Sequence, residues 1–417
     1  MGQTMTEKLF SAKAGKTVKA GEYVVLPVDR AMCHEGFLLS CAKLITSGIT
    51  KVWDPEKVVV IMDHYVPSPN VNMAEGHAKI RKMVKQCGIT HYYGEREGIC
   101  HQVMVEKGLV KPGDLVVGTD SHTCTYGGLA AAAAGIGTSE MAYVLATGEL
   151  WFQVPHSVRV NLKGSLPDRV TSKDVSLALA GRFGAEFGQY RAIEYTGELL
   201  KDLSMDSRLV LSNMSVEFGA KFGLFPVDDV TRGFLRSIGT ECPEAFASDG
   251  DAGFLNEYEI DASDLEPMAA LPHTVDNVKP VREIAGERID QALLGSCTNG
   301  RIEDLRAASE ILKGRQVSPS VRMYVYPASR NTFRRAMDEG IIQILSEAGA
   351  IICPPSCGPC FGSQGGLLAS GETCISSTNR NFKGRMGSSD ARVYLASPAT
   401  VAMSAIHGRI TDPREEV

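Results

Sequence analysis

The 417 residues predict an α/β chain of three units, on three observations. Short apolar runs stop abruptly at polar or cysteine-bearing loops five times over, as strands buried in parallel sheets do where they end at a shared site. Segments with helical apolar spacing follow several of those loops. The texture of the chain also changes near Pro155 and again near Pro280, which places the units at 1–154, 155–284 and 285–417.

Taken in order, Thr4 and Glu7 form a capping box, so a helix starts at the N-terminus. Gly2 and Thr6 also fit a myristoylation pattern, and the cap is the preferred reading. Val58 to Met62 is a valine-rich strand that ends directly in Asp63 and His64. Leu115 to Val117 runs into GTDSHT, which carries Asp120, Ser121 and His122. The small-residue run LAAAAAGIG (Leu129 to Gly137) reads as a tightly packed helix; its GxG lacks the third glycine and the preceding strand of a dinucleotide fingerprint.

VRVNLKGSLPD opens the middle unit with a strand and turn, and DGDAG (Asp249 to Gly253) is read as a solvated turn, because its glycine and missing closing glutamate do not fit a calcium loop. NMSVEFGAKFG (Asn213 to Gly223) reads as helical, with Asn213 and Glu217 four apart on one face, which in isolation is a surface pair. In the third unit, Ala292 to Leu294 runs into GSCTNGR (Gly295 to Arg301). Leu305, Ala308, Ile311 and Leu312 then keep helical spacing, so Cys297 and Asn299 lie just before a helix start that favours a thiolate. Met323 to Tyr326 leads to PASR, and Ala350 to Ile352 leads to the loop the chain is organised around, IICPPSCGPCFG.

In that loop Cys357 and Cys360 stand two residues apart, and Pro354, Pro355, Gly358 and Pro359 keep the turn out of helix and strand. The spacing suits two thiolates on one metal centre, with Cys297 as a third ligand; it equally fits a dithiol redox pair, half a zinc site or inert thiols. Beyond it, STNRNFKGR sets Arg380 and Arg385 on either side of a turn. Arginines so placed suit bidentate carboxylate binding, with a solvated basic turn as the alternative.

Composition narrows the partners. A formal charge of -6 provides no basic excess to displace phosphate counterions, which speaks against nucleic acid, and no apolar run approaches the about 20 residues of a membrane helix. Eleven cysteines without a signal peptide imply a reducing compartment, the cytoplasm. The expected ligand is small.

The segments GTDSHT, GSCTNGRIEDL, SCGPCFG and TNRNFKGRMG, in this order and at these separations, resemble the large subunits of the aconitase superfamily, and the likeness runs from the N-terminus to DPRE (Asp412 to Glu415). The resemblance implies three α/β/α domains around a 4Fe-4S cluster held by Cys297, Cys357 and Cys360. Three thiolates for four irons leave one iron open as a Lewis acid. It further implies that His64, with Asp63 as its partner, is the acid on a departing hydroxyl. His101, Asp120, Ser121 and His122 would bind substrate or leaving water, with Glu217 beside them. Asn213, Asn299 and Asn379 would surround the cluster, and Arg380 and Arg385 would take carboxylates.

The implied activity is a hydro-lyase that isomerises a hydroxy di- or tricarboxylic acid by dehydration and rehydration. The first candidate is 2-isopropylmalate, with homoaconitate, citramalate and dimethylmalate as alternatives. In single-chain relatives the base is a serine on a fourth domain, which this sequence lacks, so the resemblance implies a separate small subunit carrying it. AMCHEGF departs from the family pattern at Glu35 and Phe37. Two rival classes remain: a zinc-binding structural protein using Cys353, Cys357, Cys360 and Cys374, and a redox protein with a fully ligated cluster.

Overall fold

A computed structural model of the chain describes residues 2–244 and 246–415. The Thr4–Glu7 capping box is present at the start of helix Met5–Ala14. Strands β1 (Tyr23–Pro27) and β7 (Glu149–Gln153) form an antiparallel ribbon. Between them in sequence lies a five-stranded parallel sheet of β2 (Arg30–Cys33), β3 (Val58–Ile61), β4 (His91–Tyr93), β5 (Leu115–Gly118) and β6 (Ala132–Gly135). Its spatial order is β4-β3-β2-β5-β6. All four residues of β3 and all four of β5 are buried, which is why they read as unbroken apolar runs.

The alanine run is a strand, not the expected helix. Its small side chains and Gly135 are required because the turn of 3₁₀ helix over Ser121–Leu129 lies against β6: a Cβ on Gly135 would come within 2.6 Å of the Asp120 carbonyl oxygen. Tertiary packing overrides alanine's helix propensity here.

A second parallel sheet contains β8 (Ser157–Lys163), β9 (Ala192–Thr196), β10 (Phe222–Leu224) and β11 (Glu257–Asp261), in the order β10-β9-β8-β11. The segment expected to be helical to Gly223 is helix only to Met214, a 3₁₀ turn to Phe218, and then β10. The DGDAG turn is not merely solvated, because Asp249 accepts from the Gln3 amide at 2.8 Å and from Lys8 Nζ, which ties the turn to the N-terminal helix and the residues before it.

The third sheet has seven strands: β12 (Met268–Ala270), β13 (Val278–Pro280), β14 (Gln291–Gly295), β15 (Arg322–Tyr326), β16 (Ile351–Ile352), β17 (Thr373–Ser376) and β18 (Arg392–Ala396), in the order β13-β12-β18-β17-β14-β15-β16. Strands β14 to β18 are parallel; β12 runs antiparallel to both β13 and β18.

The first sheet and the parallel part of the third share one topology. From the earliest strand the chain steps twice to one side and then crosses to the other, so the direction switches between β2 and β5 and between β14 and β17. Loops at the carboxyl ends of strands flanking such a switch diverge and leave a crevice. The loops after β3 and β4 meet those after β16 and β15. The main chain ties them together: Cys357 N–H donates to Asp63 O at 3.1 Å, and Ile99 N–H to Ala328 O at 2.8 Å. No helix among the described residues is long and apolar enough to cross a membrane.

Candidate active site

The loop after β3 delivers Asp63 and His64 into the crevice. Asp63 is fully buried; one carboxylate oxygen accepts from the Cys100 amide at 2.7 Å, and the other lies 2.7 Å from His64 Nδ1. That bond fixes the ring and turns Nε2 towards Asp120, whose Oδ2 is 3.2 Å away. The imidazole stacks on His34, with ring centroids 4.2 Å apart, and meets the edge of Phe361 at 4.9 Å. Burial favours the neutral ring, but the Cys357 sulfur and the Asp63 and Asp120 carboxylates outweigh it and hold the His64 pKa well above its ordinary value.

Asp120 is the hub. Its Oδ1 lies 2.8 Å from His101 Nε2 and accepts from the His122 amide at 2.7 Å. Burial opposes ionisation of Asp120, yet the hydrogen bonds from His101, His122 and His64 prevail and keep the carboxyl well below its usual range. Ser121 Oγ lies 3.3 Å from His122 Nδ1. His122 Nε2 reaches Glu217 Oε1 at 2.8 Å, and Arg380 Nε pairs with that same oxygen at 2.7 Å. Glu217 too is held below its usual pKa: burial acts to raise it, and the His122 hydrogen bond and the Arg380 charge act more strongly to lower it. The expected surface pair, Asn213 and Glu217, is in fact buried.

Cys297 stands on a single helical turn, Ser296–Asn299, after β14. Ser296 takes φ 78°, an unfavourable conformation for a residue with a side chain, and strain of this kind gathers at functional positions. The Cys297 sulfur accepts from the side-chain amides of Asn213 at 3.3 Å and Asn379 at 3.5 Å. The Cys360 thiol donates to Asn379 Oδ1 at 3.4 Å. Cys357 packs against Cys297, Ile99 and Ala328, and its sulfur lies 3.8 Å from Asp63 Oδ2 and 4.0 Å from His64 Nδ1. Burial pushes the Cys297 thiol up to about 12, the reverse of the thiolate expected at a helix start: one turn of helix supplies little dipole, and desolvation dominates. A metal group binding here must displace thiol protons.

Not every residue singled out in the sequence converges. Asn299 turns away, donating to Asp304 at 2.8 Å beneath helix Ile302–Leu312. Arg385 is placed beside the cysteine loop through its main chain, whose carbonyl would lie 2.4 Å from a Cβ on Gly362. Cys374 lies buried within β17, in register with Gln291, and the Cys353 amide bonds to Val325 O. Among the described residues two sets of three potential ligand atoms lie within 4.8 Å of one another: His34, His64 and Asp120, and Asp63, His64 and Cys357. The rival zinc set of Cys353, Cys357, Cys360 and Cys374 is not among them.

The sequence reading missed His34 and understated Glu35. His34 follows β2 as His64 follows β3, but β2 reads RAMC, opening on an arginine, and lacks the unbroken apolar run of β3. Glu35 accepts from the main-chain amides of His64 and Tyr65 at 3.1 and 3.0 Å, fixing the turn that carries the imidazole. Phe37 is fully buried in the core beneath. A cleft of about 890 Å³ is lined by residues including Val66, Tyr92, Arg330 and Pro354, and none of the network side chains lines it.

Two doubly wound sheets whose loops meet, a buried His–carboxylate network and three neighbouring cysteines make a site equipped for acid–base chemistry beside thiol groups. The model for the aconitase family (aconitate hydratase) matches residues 7–288 and 279–408. The chain is 50% identical over 416 residues to the 3-isopropylmalate dehydratase large subunit 1 of Methanopyrus kandleri, with 99% of each chain covered. It is 50% identical over 415 residues to the probable 3-isopropylmalate dehydratase large subunit of Methanothermobacter thermautotrophicus, again with 99% of each covered, and 47% identical over 419 residues to the large subunit 1 of Archaeoglobus fulgidus, with 100% of each covered. The chain belongs to the aconitase family.

Proposed function

We propose that this chain is the large subunit of a cytoplasmic 3-isopropylmalate dehydratase, a hydro-lyase that interconverts 2- and 3-isopropylmalate by dehydration and rehydration in leucine synthesis. Support comes from full-length identity of 44–50% to relatives named for that subunit. The structural observation that carries the reading is the contact between the Asp63–His64 pair and Cys357, which puts an acid–base group against a candidate metal ligand. The three units are taken as 1–154, 155–284 and 285–417.

The donor set fits an iron–sulfur group. Two cysteine sulfurs share Asn379, one also accepts from Asn213, and the three cysteines do not form one of the close triads that would suit a single ion. Cys297, Cys357 and Cys360 would hold a 4Fe-4S cluster, which when bound supplies Lewis acidity towards the substrate hydroxyl and carboxylate.

The chain's own residues do the rest. His64, kept protonated between Asp63 and Asp120, donates from Nε2 to the departing hydroxyl. Asp120, with His101, Ser121 and His122, orients substrate and the released water. Arg380, steered by Glu217, takes a substrate carboxylate, and Arg385, assigned by the family resemblance alone, takes the other. The base that removes the carbon-bound proton comes from a separate small subunit bearing a serine, which also lines the pocket around the variable substituent.

Anaerobic reconstitution with iron, sulfide and the small subunit, followed by turnover on 2-isopropylmalate, homoaconitate, citramalate and 2,3-dimethylmalate, tests the reading. The highest kcat/KM is expected for 2-isopropylmalate. Preference for another acid would reassign the substrate, and zinc in place of iron and sulfide would overturn the class.

A further inference from the structure

Lys173 is fully buried, on helix Ser172–Phe183 of the middle unit. Its Nζ donates to two main-chain carbonyls, Ser377 O at 3.2 Å and Thr378 O, and among the described residues it forms no ion pair with a carboxylate. Its neighbour Asp174 is occupied elsewhere, accepting from the Thr171 and Met268 amides. An ammonium buried without a paired anion costs several kcal/mol, so its retention calls for a compensating charge or a structural task.

Both lie next to it. The carbonyls it holds belong to the two residues just before Asn379 and Arg380, the pair that contacts the Cys297 and Cys360 sulfurs and Glu217. Burial lowers the Lys173 pKa to about 8, against the favourable pull of Cys360, Asp304, Asp174 and Glu217, so the group is still mainly charged at neutral pH.

We propose that Lys173 is a positioning residue for the cysteine site. It clamps the Ser377–Thr378 main chain behind Asn379 and Arg380 and supplies buried positive charge that offsets the negative charge of a thiolate-held group. The second half rests on the iron–sulfur reading above; the clamp does not.

Three variants separate the two tasks. In the metal-free chain, amide exchange over residues 378–381 is expected to rise at least tenfold in K173M and to stay near the parent value in K173R. In the reconstituted chain, K173M and K173Q are expected to move the midpoint of the one-electron couple to more negative potential, because positive charge near a cluster favours its reduced form. A tenfold change in the reduced-to-oxidised ratio corresponds to about 59 mV, and K173R is expected to move it by less than a third of that. Glutamine keeps one N–H for a carbonyl, so K173Q decides if K173M does not fold. Folded K173M or K173Q with parent exchange and parent midpoint would overturn the proposal. A parent chain that takes up no iron and sulfide would instead overturn the iron–sulfur reading, leaving exchange to judge the clamp.

Discussion

His64 is held on every side: Asp63 at Nδ1, Asp120 at Nε2, His34 on its face and Glu35 on its main-chain amide. On the proposed reading, a ring so constrained donates one proton in one direction. H64Q is therefore expected to lower kcat about 10²- to 10⁴-fold, with KM and iron content near the parent values; unchanged kcat in the assembled enzyme would remove His64 from the chemistry. Glu217 offers a separate test, through stability. Its folded-state pKa lies below the unfolded value of about 4.3, so its contribution is fully present above that pH and is lost as pH falls through the depressed folded value. The gap in thermal midpoint between parent and E217Q should be constant from pH 5 to 7, on the order of a few degrees, and should close below about pH 4.

At the scale of elements, the cysteine loop depends on Gly358. Its φ of 54° and the Tyr326 ring, 2.8 Å from where a Cβ would lie, both demand glycine. G358A is expected to cost about 1–3 kcal/mol and to lower iron occupancy while the circular dichroism of the fold persists. The middle unit is pinned by the fully buried Arg208, which grips Asp228 with both terminal nitrogens and reaches Leu200 O at 2.7 Å. D228A would strand that guanidinium at about 3 kcal/mol, read as a fall in the denaturation midpoint. The strands before the active loops were legible because a strand buried on both faces is an uninterrupted apolar run that ends at a polar loop. The alanine strand was not, since its composition answers to the close approach of Asp120 and Ser121, a contact no local pattern carries. Asn213 and Glu217 likewise read as a surface pair, because the contacts that bury them, with His122, Thr125, Cys297 and Arg380, are distant in sequence.

Across the whole molecule, the site joins side chains from loops of three sheets: His64 and Asp120 follow strands of the first, Glu217 precedes a strand of the second, and Arg380 and the cysteines follow strands of the third. Linear motifs announced most of these residues. The orientation of Asn299 towards Asp304 and the stacking of His34 on His64 arise from loop packing within one sheet, and the Lys173 contact from packing between the second and third, and none of the three left a signature. On the proposed reading the acid, the carboxylate-binding arginines and the thiols lie on this chain and the serine base on a small subunit, so the isolated subunit is expected to show no measurable dehydration, with activity appearing on titration of the small subunit to a fixed stoichiometry. The most direct test of the account is the iron and inorganic sulfide content of the anaerobically reconstituted chain and its single cysteine-to-alanine variants. About four irons and matching sulfide are expected in the parent, C353A and C374A, with sharp loss in C297A, C357A and C360A; retention of the full complement when any of those three is removed, or its loss with Cys353 or Cys374, would contradict it.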